Sequence, residues 1–153
     1  MTNLCSDVLK KLAGKTLATT ESLTGGGIGA ALTAVPGASA VFKGGIISYT
    51  DEVKREVLSV PAQTLESSGA VSAPVAEAMA NGARKLLKAD YAISVTGLAG
   101  PGGDDFGHPV GTVFIGYADE KQTLAREYHF AGDRDAVRTQ TIEAALQLIL
   151  ENA

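Results

Sequence analysis

The stretch Leu17 to Gly27, LATTESLTGGG, constrains the fold more than any other part of the chain. It starts as a short apolar and β-branched run, which suits a buried strand. It ends in the hydroxyl cluster Thr19, Thr20, Ser22 and Thr24 and then three glycines, after which the apolar spacing turns helical. The first N–H groups of a helix lack intrahelical acceptors and point at whatever binds there. Ser22 has two roles open to it at such a bend. It caps the helix, as serines before helices do, or it is an exposed nucleophile beside an anion-binding turn.

Around that stretch, strand-like and helical runs alternate. Val8, Leu9 and Leu12 predict a first helix, capped by Asn3 or Ser6 and ended by Gly14 after about Ala13. A strand follows over Lys15 to Thr20, then an Ala-rich helix over Gly25 to Val35, stopped by Pro36-Gly37. Val41 to Tyr49 reads as a strand with Gly44-Gly45 as a bulge or close approach. Thr50 or Asp51 caps a helix through about Ser59, with Val53, Val57 and Leu58 inward, and Pro61 opens a short helix to Ser68. Gly69 to Val71 is extended. Ser72 caps the clearest helix, with Pro74 in its first turn and Val75, Met79, Ala83 and Leu86 along one face. Tyr91 to Thr96 is a buried strand, Gly97 to Pro109 a long glycine loop, and Val110 to Ala118 and Thr123 to Phe130 a hairpin through Asp119 to Gln122. Asp133 or Asp135 caps a last helix that buries Val137, Ile142, Ala145, Leu146 and Ile149. Alternating early strands and helices with a late hairpin predict an α/β fold, a three-layer α/β/α sandwich with a mixed sheet. At 153 residues, with no repeat or linker, the expectation is a single domain over 1–153.

Charge and composition narrow the partners. Hydrophobic residues make up 45% and charged residues 20%, with a net charge of −4 and no basic run. That balance argues for a soluble protein that does not bind a nucleic-acid backbone. No apolar run approaches the length of a membrane span, so no membrane partner is expected. His108, His129 and Cys5 are too few for an ordinary zinc site, and one cysteine excludes an internal disulfide, which fits a cytoplasmic location.

A nucleophilic serine needs a base. Neither histidine sits in a pattern associated with a serine triad. Lys54, early in the helix after Tyr49, is a candidate, because a cation at a helix start opposes the dipole and a poorly hydrated one favours the neutral amine. Asp51 and Glu52 push the other way, and an ordinary solvated lysine is the plain alternative. Tyr49 either packs at a strand end or relays a proton between Ser22 and Lys54. Glu21 either orients a substrate or the lysine, or is a loop carboxylate. The backbone of the Gly97 loop, GLAGPGG, leaves donors free to cradle a phosphate or carboxylate, or is a flexible connection. Arg134 and Arg138, four apart on one helix face, hold a phosphate or pair with nearby acids.

The motifs TESLTGGGIGAALTAVPGAS, VFKGGIISYTDEVK, GAVSAPVAEAMANGAR, ISVTGLAGPGG with HPVGTVFIGYA, and FAGDRDAVRTQT occur in that order. Together they closely resemble the C-terminal domain of the CinA (competence/damage-inducible) family, from about Leu17 into the last helix. Stand-alone members of this domain are similar to nicotinamide-mononucleotide deamidases. The resemblance implies hydrolysis of the carboxamide of nicotinamide mononucleotide to nicotinate mononucleotide and ammonia, without a metal or cofactor. It implies Ser22 as nucleophile, Lys54 as base and Tyr49 as proton relay. Glu21, Leu23, Thr24, Gly25, Gly26, Gly97, Ala99, Gly100, Arg134 and Arg138 are then expected around the substrate. The sequence departs from the usual family pattern at Leu23, often Cys, and at Thr50-Asp51, usually Ser-Asn. The alternative is a noncatalytic nucleotide-binding module or a regulatory module linked to competence or DNA damage. A homodimer is the expected assembly.

Overall fold

The structure, a computed structural model, describes residues 1–153. Five strands form one sheet: β1 (Leu17–Glu21), β2 (Phe42–Ile47), β3 (Tyr91–Gly97), β4 (Thr112–Ala118) and β5 (Thr123–His129), in the order β2-β1-β3-β4-β5. β1 runs parallel to both β2 and β3, whereas β3–β4 and β4–β5 are antiparallel. The mixed sheet and the late hairpin are as the sequence predicts. β4 has to reverse because the segment before it is a loop and not a crossover helix.

Six α-helices cover the two faces: α1 (Thr2–Lys11), α2 (Gly27–Thr33), α3 (Asp51–Glu56), α4 (Ala62–Ser68), α5 (Ala73–Leu87) and α6 (Arg134–Asn152). Strand residues alternate between two cores. Leu17, Ile93, Val95, Val113, Ile115 and Tyr117 pack with Cys5 and Val8 of α1, Ile28 and Leu32 of α2, and Leu146 and Ile149 of α6. Ala18 and Ala92 face the other way, against Leu65 of α4 and Val75, Met79 and Ala83 of α5. Small residues let α5 lie close to the sheet. Ser94 Oγ donates to the Ala76 carbonyl at 2.6 Å, and a side chain at Gly116 would collide with that carbonyl.

Several boundaries differ from expectation. α1 has no side-chain cap at Asn3 or Ser6, its N-cap being Met1. α2 starts at Gly27, because Gly25 and Gly26 adopt φ of +58° and +103° to turn the chain. Leu86 is exposed and Ile142 only half-buried, while Thr141 is fully buried with its hydroxyl bonded to the Val137 carbonyl. α5 ends one residue after Leu86, where Lys88 turns left-handed, so the apolar stripe runs off the sheet. Ser72, Thr50 and Asp133 do cap α5, α3 and α6 through their side chains. The bulge in β2 falls at Lys43, since Leu17 pairs with Phe42 and Ala18 with Gly44. Gly45 is the close approach, because a Cβ there would overlap the Thr19 hydroxyl.

Candidate active site

Three parallel strands end together, and their exits supply the site. This is the usual location for ligands in α/β sheets. The ladder carries on past the formal strand ends: Ser22 N–H donates to the Val95 carbonyl at 3.1 Å and Ser48 N–H to the Glu21 carbonyl at 2.9 Å. Ser22 therefore sits between the exits of β2 and β3, on a backbone held from both sides. It is 8% exposed and opens onto a cavity of about 470 Å³.

Lys54 is 1% exposed, which is unusual for a lysine. Its Nζ lies 3.1 Å from Ser22 Oγ, 2.9 Å from the Ser48 carbonyl and 3.2 Å from the Tyr49 carbonyl. No carboxylate forms an ion pair with it. Burial pushes the amine below the ordinary lysine value, and the nearby Asp51 charge partly opposes the drop. The helix-dipole argument does not apply, because α3 is six residues long and Lys54 is its fourth. Desolvation is the cause.

Three partners around Nζ suit both protonation states. The ammonium donates to both carbonyls and to Ser22 Oγ. The neutral amine still donates to both carbonyls and turns its lone pair to the Ser22 hydroxyl. Moving the proton between serine and lysine thus reverses one hydrogen bond and leaves no buried group unmatched.

Tyr49 reaches the site differently from its expected role. Its phenol is exposed and does not bridge Ser22 and Lys54. The hydroxyl accepts from Arg134 Nη2 at 3.2 Å, while the Tyr49 carbonyl serves the lysine. The two strand exits already bring amine and hydroxyl into contact, so no third side chain fits between them.

The expected substrate-binding residues separate into two groups. Leu23, Gly97, Ala99, Gly100 and Arg134 line the cavity. The amides of Leu23, Thr24, Ala99 and Gly100 have no acceptor within the chain, and Leu23, Ala99 and Gly100 belong to the cavity lining. Arg134 Nη1 donates to the Gly100 carbonyl at 2.7 Å and so ties the glycine loop to the start of α6. Glu21, Thr24, Gly25, Gly26 and Arg138 do not line it. Glu21, 2% exposed, accepts from Thr24 Oγ1 at 2.6 Å, Ile28 N–H at 2.8 Å and Gly29 N–H at 3.1 Å. Its carboxylate occupies the N-terminus of α2, so that helix end is not available to a substrate anion. The Gly25 amide is spent on the Ser22 carbonyl. Arg138 donates from Nε to the Leu23 carbonyl at 3.0 Å and from Nη2 to the Thr24 carbonyl at 3.1 Å. One turn along α6, it grips the serine loop from outside and leaves Arg134 as the cavity's arginine.

Sequence reasoning missed Ala70, Val71 and Thr96 in the lining, and read Asp51 only as a charge near Lys54 and Asp104 only as a loop carboxylate. Thr96 ends a strand beside the glycine loop, and that position is a readable signal. Ala70 and Val71 reach the site only through packing of the segment between α4 and α5. Burial alone would raise the Asp104 carboxyl, but hydrogen bonds from the ring and amide of His108 and the amide of Phe106 hold it below the usual value. His108 thus serves the loop and does not touch Ser22. No three His, Cys, Asp or Glu side chains converge as metal ligands, and no helix is long and apolar enough to cross a membrane. A second cavity, of about 360 Å³, lies at the opposite end of the strands among Lys15, Arg84, Asp90 and Asp119 and is lined by no serine, threonine or cysteine.

Residues 1–153 match the CinA C-terminal domain family. A CinA-like protein of Geobacter metallireducens is 50% identical over 133 residues, which are 87% of this chain and 32% of that protein. The CinA-like protein of Parasynechococcus marenigrum is 49% identical over 94% of this chain and 35% of its own length. The chain thus spans about a third of these relatives. Solved structures match nearly end to end. The competence damage-inducible protein A of Klebsiella pneumoniae has a TM-score of 0.96 at 38% identity, covering 99% of this chain and 95% of that one. A competence-damaged protein (CinA) superfamily member from Escherichia coli has 0.97 at 36%, covering 99% and 90%.

Proposed function

This chain belongs to the CinA C-terminal domain family, and from that premise we propose that it is a serine amidohydrolase that deamidates nicotinamide mononucleotide. The observation that carries the reading is the 3.1 Å contact between Ser22 Oγ and a buried Lys54 Nζ that no carboxylate neutralises. A structural lysine gains nothing from burial without a counter-charge, whereas a general base needs the depressed affinity for protons that burial supplies. The substrate assignment rests on the family resemblance. It is supported by a cavity of about 470 Å³ whose lining includes the apolar Ala70, Val71 and Leu98 and the unbonded amides of Ala99 and Gly100.

In this mechanism neutral Lys54 takes the Ser22 proton as Oγ attacks the carboxamide carbon. The carbonyl oxygen gains the charge and accepts from the free amide of Leu23, such a donor contributing about 3 kcal/mol. Collapse breaks the C–N bond, and the departing nitrogen takes the proton from Lys54 and leaves as ammonia. Water then attacks the acyl carbon and gives a proton to Lys54; collapse breaks the carbon–Oγ bond, Lys54 returns that proton to Oγ, and the acid leaves as the nicotinate mononucleotide, its own proton going to solvent. Tyr49 and Arg134 stand at the rim, and the Gly97 to Gly103 loop holds the ribose phosphate.

The test is ammonia release from nicotinamide mononucleotide by the wild type and Ser22→Ala. Release that survives the substitution would remove the nucleophile. Tight binding of the nucleotide with no release by the wild type would instead support a noncatalytic module.

A further inference from the structure

The charges lining the cavity do not suit an anion alone. They are Asp51, Lys54, Asp104 and Arg134. In the reactive state Lys54 is the neutral amine, leaving two carboxylates against one guanidinium. Arg134 is engaged with the Gly100 carbonyl and the Tyr49 hydroxyl. Asp104 is engaged by His108 and its own loop. Asp51 stands apart. It is exposed, it begins α3, and no hydrogen bond or ion pair within the chain uses its carboxylate. It is close enough to Lys54 for its charge to act on the amine. The cavity therefore keeps one unspent negative charge beside the reacting pair.

We propose that Asp51 is a specificity-determining residue that selects amides carried on a cationic ring over the same amides on an uncharged ring. This rests on the deamidase reading, in which the amide is a substituent of a pyridinium. A ring with its carboxamide carbon at Ser22 Oγ lies within the field of a carboxylate that also reaches Lys54. A cationic ring offsets that carboxylate and relieves its hold on the lysine proton. An uncharged ring does neither. Because Asp51 is exposed, water screens the pair, and the discrimination it supplies is modest, up to about fivefold.

The experiment compares nicotinamide mononucleotide with its 1,4-dihydro form, which keeps the amide, ribose and phosphate and loses the ring charge. kcat/KM for ammonia release is measured for both with wild type and Asp51→Asn. The expected result is that Asp51→Asn lowers the cation-to-neutral ratio about fivefold. A role confined to tuning Lys54, or to the α3 N-terminus, changes both amides equally and leaves the ratio unmoved, and that result overturns the proposal. Binding of the two nucleotides to Ser22→Ala, with and without Asp51→Asn, gives a second reading without turnover. A cation preference that disappears with Asp51→Asn supports the role of Asp51 even where the wild type releases no ammonia and the deamidase reading falls. Equal binding of both nucleotides to Ser22→Ala overturns it.

Discussion

At the end of β1 a buried carboxylate, Glu21, faces the first amides of α2. At the end of β2 a buried amine, Lys54, is enclosed by α3 and the strand exit. The two junctions are neighbours and each carries one charged group out of water. Glu21 is given an O–H and two N–H donors, all suited to an anion, at the helix end that favours one. Lys54 is given two carbonyls and a serine hydroxyl but no counter-charge, and burial disfavours its charged form. One junction stabilises its ion and holds the loop. The other withholds stabilisation from its ion, and that difference is what separates a support from a base.

The contrast breaks most visibly in activity. Ser22→Ala and Lys54→Met should each lower ammonia release by roughly 10³-fold or more, and the double variant by little more than either, because the two act as one unit. Additive losses would show independent roles. On the support side, Glu21→Gln leaves one of its three donors facing an amide nitrogen. The folded state should lose about 2 kcal/mol, read as a lower urea midpoint with unchanged m.

The lysine should also sharpen the comparison through pH. Its folded value lies below 10.5, so between the two values the unfolded chain holds a proton that the folded chain has shed. Stability relative to Lys54→Met should therefore rise with pH across that window, by up to about 1.4 kcal/mol per pH unit. The gain is complete above 10.5 and lost as pH falls through the folded value. Turnover should climb over a limb centred below 10.5; a flat profile there would count against the base. The smallest effect is expected at the α3 cap. Thr50→Ala removes the 3.3 Å bond to the Val53 amide and should cost about 1 kcal/mol in denaturant unfolding.

What the sequence made legible follows the range of each interaction. Ser72 with Pro74, the hairpin around Asp119 and the cap at Asp133 are local, and they stand where residue chemistry puts them. Lys54 stood out only as a candidate beside the plain alternative of a solvated lysine, because the contact that joins its amine to Ser22 links residues 32 apart in the chain, while only the Ser48 and Tyr49 carbonyls are local to it. Arg134 and Arg138 share a spacing that places both on one face, yet only tertiary geometry sends one to the cavity and the other to the Leu23 and Thr24 carbonyls. Glu21 was visible as a carboxylate beside the serine. That it turns inward to α2 depends on where the glycines reverse the chain.

The bond from the Ser48 amide to the Glu21 carbonyl has a dynamic consequence. It is a rung of the β1–β2 ladder, one residue from Ser22 and next to the carbonyl that holds Lys54. Displacing the Ser22 backbone from the strand exit that holds Lys54 therefore requires a rung to open first. Backbone excursions that misalign the pair belong to the slow, rare openings of the sheet and not to the fast motions of its surface.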